Sequence, residues 1–162
     1  MISLKDPTLD IHIRENGHWL MCLIHLAWST LPHSKLFPNR EHSVTTDCVN
    51  DMYRIFVNSG WITPYCFVEH PERVLSYLNP GKLEYLGFMS PTAFAKFKKH
   101  NRFGRLHTID VWGETKPMPE KARADKSKNP FKFFAYGMYD PTPNDWMMRI
   151  GKIINHMVVR EI

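Results

Sequence analysis

The sequence predicts an α+β fold in which a helical N-terminal half packs on an antiparallel sheet from the C-terminal half. Three observations predict it. Apolar residues recur at helical spacing through the first hundred positions. After Gly104 the period changes to two. The chain has 162 residues, 43% of them hydrophobic, which suits one domain (residues 1–162) with its own core.

In chain order, Asn16 is placed to cap a helix from about Gly17 to Ser29, because its side-chain oxygen can accept from first-turn amides. Trp19, Leu20, Leu23, Ile24, Leu26, Ala27 and Trp28 leave this helix almost no polar side, so it is expected to be buried nearly all round. A second helix, about 47–59, carries Val49, Met52, Tyr53 and Phe56 at i, i+3, i+4, i+7 and stops at Gly60. Two shorter helices begin with Pro at the first position: 71–78, and 91–100 after a Ser90 cap. Extended pieces are expected at 61–68 and 83–89, and strands at 105–112, 131–139 and 152–162. Residues 114–129, with Pro117, Pro119 and several cations, read as a surface loop.

Composition narrows the function. The net charge of +5 permits an acidic partner and excludes an acidic mimic of DNA. Three cysteines, Cys22, Cys48 and Cys66, are an odd number in apolar settings, the usage of a reducing compartment. The longest apolar run, Trp19 to Trp28, is interrupted by His25 and falls short of the ~20 residues of a membrane span. Nor do the first residues read as a signal peptide, so a cytoplasmic protein with no membrane partner is expected.

Three places draw attention chemically. His18, Met21, Cys22, His25 and Ser29 recur at i, i+3, i+4, i+7 and i+11, a polar stripe on an apolar helix. Either the two imidazoles are satisfied by carbonyls while Cys22 packs as a small hydrophobe, or the helix start faces a cleft. His107 opens a strand on the same face as Ile109, where an inward imidazole needs a partner or a function. Asp140 ends a strand before Pro141, where an Asx-turn is the local alternative to a functional carboxylate.

Their order resembles the papain-like cysteine peptidase fold, in particular its bacteriocin leader-peptidase branch. The matching stretches are Asn16-Gly17-His18-Trp19-Leu20, Leu106-His107-Thr108-Ile109 and Tyr139-Asp140-Pro141. Gly60-Trp61-Ile62 with Glu69-His70-Pro71-Glu72-Arg73-Val74-Leu75 is similar to the helical linker of a small bacterial and phage family of the same outline. The resemblance implies a Cys-His-Asp triad at positions 18, 107 and 140, with an oxyanion donor at His12. It also implies an accessory role in a phage or mobile element. The nucleophile position holds His18, and an imidazole cannot replace the attacking sulfur. A pseudo-peptidase acting as a binding or inhibitory module for a protein partner is the expected function.

Two enzymatic alternatives stand beside it. One is a cysteine peptidase using Cys22, about 6 Å further along the helix axis. The other is a metal-dependent hydrolase, since two imidazoles and a carboxylate (His18, His107, Asp140) suit zinc or another divalent ion. Otherwise no cofactor is expected. Cys66-x-x-x-His70 with Cys48 is a looser metal candidate without a fourth ligand. Nucleic acid or nucleoprotein is the remaining partner class. Lys116, Lys121, Arg123, Lys126, Lys128 and Lys132 face Glu114, Glu120 and Asp125, a local charge of +3, with Phe131, Phe133 and Phe134 beside them. A second basic run, Lys96 to Arg102, reads as an exposed helix face whose cations suit the C-terminal dipole.

Overall fold

The computed structural model describes residues 2–30, 44–114, 132–137, 139–141 and 151–162, with backbone alone for Glu114, Lys132 and Phe133. Helices come first: α1 (Ile11–Asn16), α2 (His18–Thr30), α3 (Thr46–Asn58) and α4 (Pro71–Leu78). Strand β1 (Leu83–Met89), helix α5 (Pro91–His100) and strands β2 (Leu106–Glu114), β3 (Lys132–Ala135) and β4 (Gly151–Glu161) follow. All pairings in the sheet are antiparallel and the order is β1-β4-β2-β3. The α+β class expected from the change of period is the one observed.

Local chemistry accounts for the boundaries. Pro71 starts α4, and Pro91 after the Ser90 cap starts α5, where Ser90 Oγ accepts from Ala93 N at 3.1 Å. Thr45 caps α3 by accepting from Cys48 N. The start of α2 differs from expectation. A separate six-residue helix, α1, is capped by Asp10 and ends at Asn16, whose Nδ2 donates to Tyr65 O instead of capping α2. Gly17 forms the corner, and its N–H donates to Ile13 O at 2.7 Å. The 61–68 stretch contributes only the isolated Ile62–Val68 bridge, and β3 is shorter than expected, giving way to a Tyr136–Tyr139 bridge.

Helix α2 is the centre of the core. Residues 20–27 are all buried, and Leu20, Leu23, Ile24 and Leu26 are fully so. Each such side chain contributes about 1.5–3 kcal/mol of burial free energy. Val49, Met52 and Phe56 of α3, Val74, Leu75 and Leu78 of α4, and Ile109, Met157 and Val159 of the sheet complete one cluster. Trp19 fixes how α2 lies on the sheet. Its indole stacks on Phe134 at 5.2 Å, meets the edge of Phe88 at 5.4 Å, and donates from Nε1 to Met157 Sδ. The N-terminal end of α2 therefore sits over the middle of the sheet. Its C-terminal end reaches the beginning of β2, where Ser29 meets Tyr136.

Candidate functional site

A cleft of about 410 Å³ opens between the second half of α2, the start of β2 and the Tyr136–Tyr139 turn. His25, Trp28 and Ser29 line it from the helix, Leu106, His107, Thr108 and Asp110 from the strand, and Tyr136, Gly137 and Tyr139 from the turn. The volume is within the range of small-ligand sites, ~300–1,000 Å³.

The strand side is open for a topological reason. β3 pairs with β2 only from Asp110 onward, so among the described residues 106–109 have β4 on one side and the cleft on the other. Arg105 O accepts from Glu161 N, and His107 lies opposite Val159. Backbone bonding alternates along an antiparallel strand, so Leu106 and Thr108 direct their N–H and C=O away from β4, towards the cleft.

His107 is held from both ends. Nδ1 lies 3.4 Å from the Tyr136 hydroxyl, which is 2.9 Å from Ser29 Oγ. Nε2 is 3.3 Å from Glu161 Oε2, although off the line a hydrogen bond needs. An imidazole, a phenol and a hydroxyl thus follow one another along the cleft wall, with the Glu161 carboxylate at the other end of the imidazole. His25 is buried, its ring 3.8 Å from that of Tyr139, and its Nε2 has no hydrogen-bond partner. Burial lowers its pKa to about 4, which keeps the imidazole neutral at pH 7. Tyr139 donates from its hydroxyl to Ile2 O, and burial, with Cys22 and Asp140 nearby, raises its pKa.

The sequence candidates are distributed differently from the expected triad. Among the described residues, the polar side-chain partners of His107 are Tyr136 and Glu161. His18 opens α2, eleven residues before Ser29, a distance of about 16 Å along the helix axis. Among the described residues no group of three His, Cys, Asp or Glu side chains could hold a metal ion. That holds for His18, His107 and Asp140, and for Cys48, Cys66 and His70. Cys22 is fully buried, and burial raises its thiol pKa well above the ordinary range, with Asp140 and Asp110 pushing the same way. A thiol so placed stays protonated and inert, because the thiolate is the nucleophile. His12 lies in α1 against the edge of Tyr65, with Nδ1 buried and unpartnered, and does not line the cleft.

Lys116, Lys121, Arg123, Lys126 and Lys128 lie outside the described residues, as does the side chain of Lys132. Glu161 and Tyr136 carry no local sequence signal, because only the sheet register and the bridge bring them to His107. Ser29 and His25 were visible as the later members of the polar stripe. No helix among the described residues is long and apolar enough to cross a membrane. No protein-family model, curated protein or solved structure matches the chain.

Proposed function

We propose that this chain is a non-proteolytic peptide-binding module of papain-like outline. An extended segment of a protein partner adds to the open edge of β2, with one side chain entering the cleft. The observation that carries the reading is the coincidence of Leu106 and Thr108, whose backbone groups face away from β4, with the lining of the cleft. Strand addition draws affinity from main-chain hydrogen bonds and specificity from a neighbouring pocket. Aromatic walls (Trp28, Tyr136, Tyr139) and the neutral imidazole of His25 favour a side chain with an apolar body and one polar atom. The non-proteolytic part rests on His18 at the nucleophile position and on the burial of Cys22. The papain-like part rests on the sequence resemblance alone.

Panning a displayed library of random peptides against the protein tests this. The expected peptides bind the wild type, lose at least tenfold in affinity when alternate amides are N-methylated, and are recovered uncleaved. Thr108→Pro removes one outward N–H at an edge position where Pro is tolerated, and lowers affinity similarly. Peptides that bind equally well after N-methylation would sink strand addition, and cleaved peptides would restore the peptidase reading.

A further inference from the structure

We infer that the exposed side of α5, with the turn that joins it to β2, is a binding surface for single-stranded nucleic acid. Lys96, Lys98, Lys99, Arg102 and Arg105 are all exposed, and residues 91–105 contain no Asp or Glu. Five cations in this stretch give it a charge of +5, as large as that of the whole chain. No carboxylate among the described residues pairs with any of them. Lys98 rests over the Phe94 ring, and Arg102 donates to the carbonyls of Lys99 and Asn101. Of the acidic groups on the neighbouring strand ends, Glu84 pairs with Arg160, and the Glu161 carboxylate points to His107, 3.3 Å from its Nε2. An unneutralised cluster of this density attracts a polyanion.

The aromatic residues select among polyanions. Phe94 of α5 is half-buried against the sheet, 4.9 Å from the His156 ring, and the exposed residues of the second half of the helix after Ala95 are Lys96, Lys98, Lys99 and His100, a polar face rather than an apolar one to lay into a lipid surface. What projects instead is Phe103, 76% exposed, between Arg102 and Arg105. The turn beside it packs closely on the end of β4. Gly104 has φ +70°, and a Cβ there would collide with the Glu161 carbonyl. An exposed aromatic ring among cations is what unpaired bases stack on while their phosphates are neutralised.

Fluorescence anisotropy with a labelled dT20 oligonucleotide, from 50 to 300 mM KCl, tests the inference. Three to four phosphate contacts on a single strand give log K against log salt a slope of about −2 to −3. The double substitution Lys96→Glu with Lys99→Glu is expected to weaken binding at least tenfold and flatten the slope. Phe103→Ala is expected to weaken it at least fivefold with the slope unchanged. All three positions are exposed, and circular dichroism checks that the fold is retained. Absence of dT20 binding at 50 mM KCl overturns the proposal. So does binding that ignores these substitutions, or sedimentation with phosphatidylserine vesicles but no affinity for dT20. A 20-base-pair duplex bound as tightly as dT20, with Phe103→Ala silent, overturns the single-strand assignment. None of these readouts involves the cleft, so they stand or fall separately from peptide binding.

Discussion

Tyr136 places its hydroxyl 3.4 Å from Nδ1 of His107, and the same oxygen lies 2.9 Å from Ser29 Oγ on α2. The Ser29 hydroxyl also donates to Leu26 O, so its proton is committed to the helix and the Tyr136 hydroxyl donates to it or to His107. One phenol therefore joins the turn after β3 to both walls of the cleft.

Tyr136→Phe keeps the ring and deletes that oxygen. The expected loss is about 1 kcal/mol, the net worth of a hydrogen bond in a partly buried site. In a double-mutant cycle with Ser29→Ala, a coupling of about 0.5–1.5 kcal/mol measured by urea denaturation is expected. Additive losses would mean that the two hydroxyls do not interact in solution.

His25 makes stability depend on pH in a defined direction. Its pKa is about 4 in the folded chain against an ordinary 6.5. Between those values the unfolded chain holds a proton that the folded chain refuses. Stability therefore rises with pH across the window, is complete above about 6.5, and is lost as the pH falls towards 4. At ~1.36 kcal/mol per unit the effect is about 3 kcal/mol. Denaturation midpoints at pH 7.5 and pH 4.5 are expected to differ markedly less in His25→Phe, which fills the same space against Tyr139. Equal losses in the two proteins would place the acid sensitivity elsewhere.

The parts of this fold legible in the sequence are those set by neighbours in the chain. Pro71 and Ser90-Pro91 marked two helix starts, and period-two alternation from Arg105 marked β2, because caps and periodicity are local. The true task of Asn16 is invisible locally because its partner, Tyr65 O, is 49 residues away. α1 went unseen because its single buried residue, Ile13, gives no periodic signal. The site divides along the same line. The stripe on α2 announced His25 and Ser29, but the partners of His107 depend on strand register. Glu161 lies 54 positions beyond it, beside Val159 in β4, and nothing in the local sequence links the two.

Thiol reactivity separates a buried Cys22 from a catalytic one. Cys48 is half-buried, and burial and Asp51 raise its pKa only moderately, whereas burial pushes Cys66 up to about 12 and Cys22 is fully enclosed. Iodoacetamide under native conditions is expected to label Cys48 first, at least tenfold faster than Cys22, with equal labelling of all three in denaturant. Mass spectrometry of a time course reads the order. Cys22 labelled ahead of the others would return it to the role of nucleophile.

Gly17 is needed for steric reasons, not for its backbone angles, since its φ of −88° is open to any residue. A Cβ at this corner would press on the Ile13 carbonyl oxygen and come within 2.7 Å of Ile13 Cγ2, and Ile13 is fully buried. Neither group can retreat: the oxygen accepts the Gly17 N–H bond at the corner between α1 and α2, and the side chain is packed into the core. Gly17→Ala is therefore expected to cost about 1–3 kcal/mol, as overpacking does, despite the higher helix propensity of alanine. The paired substitution Ile13→Val with Gly17→Ala removes one methyl from the crowded side and should recover part of that loss. Urea midpoints of the two single variants and the double variant measure it; a neutral Gly17→Ala would show that the corner opens without cost and that the register of α2 does not depend on it.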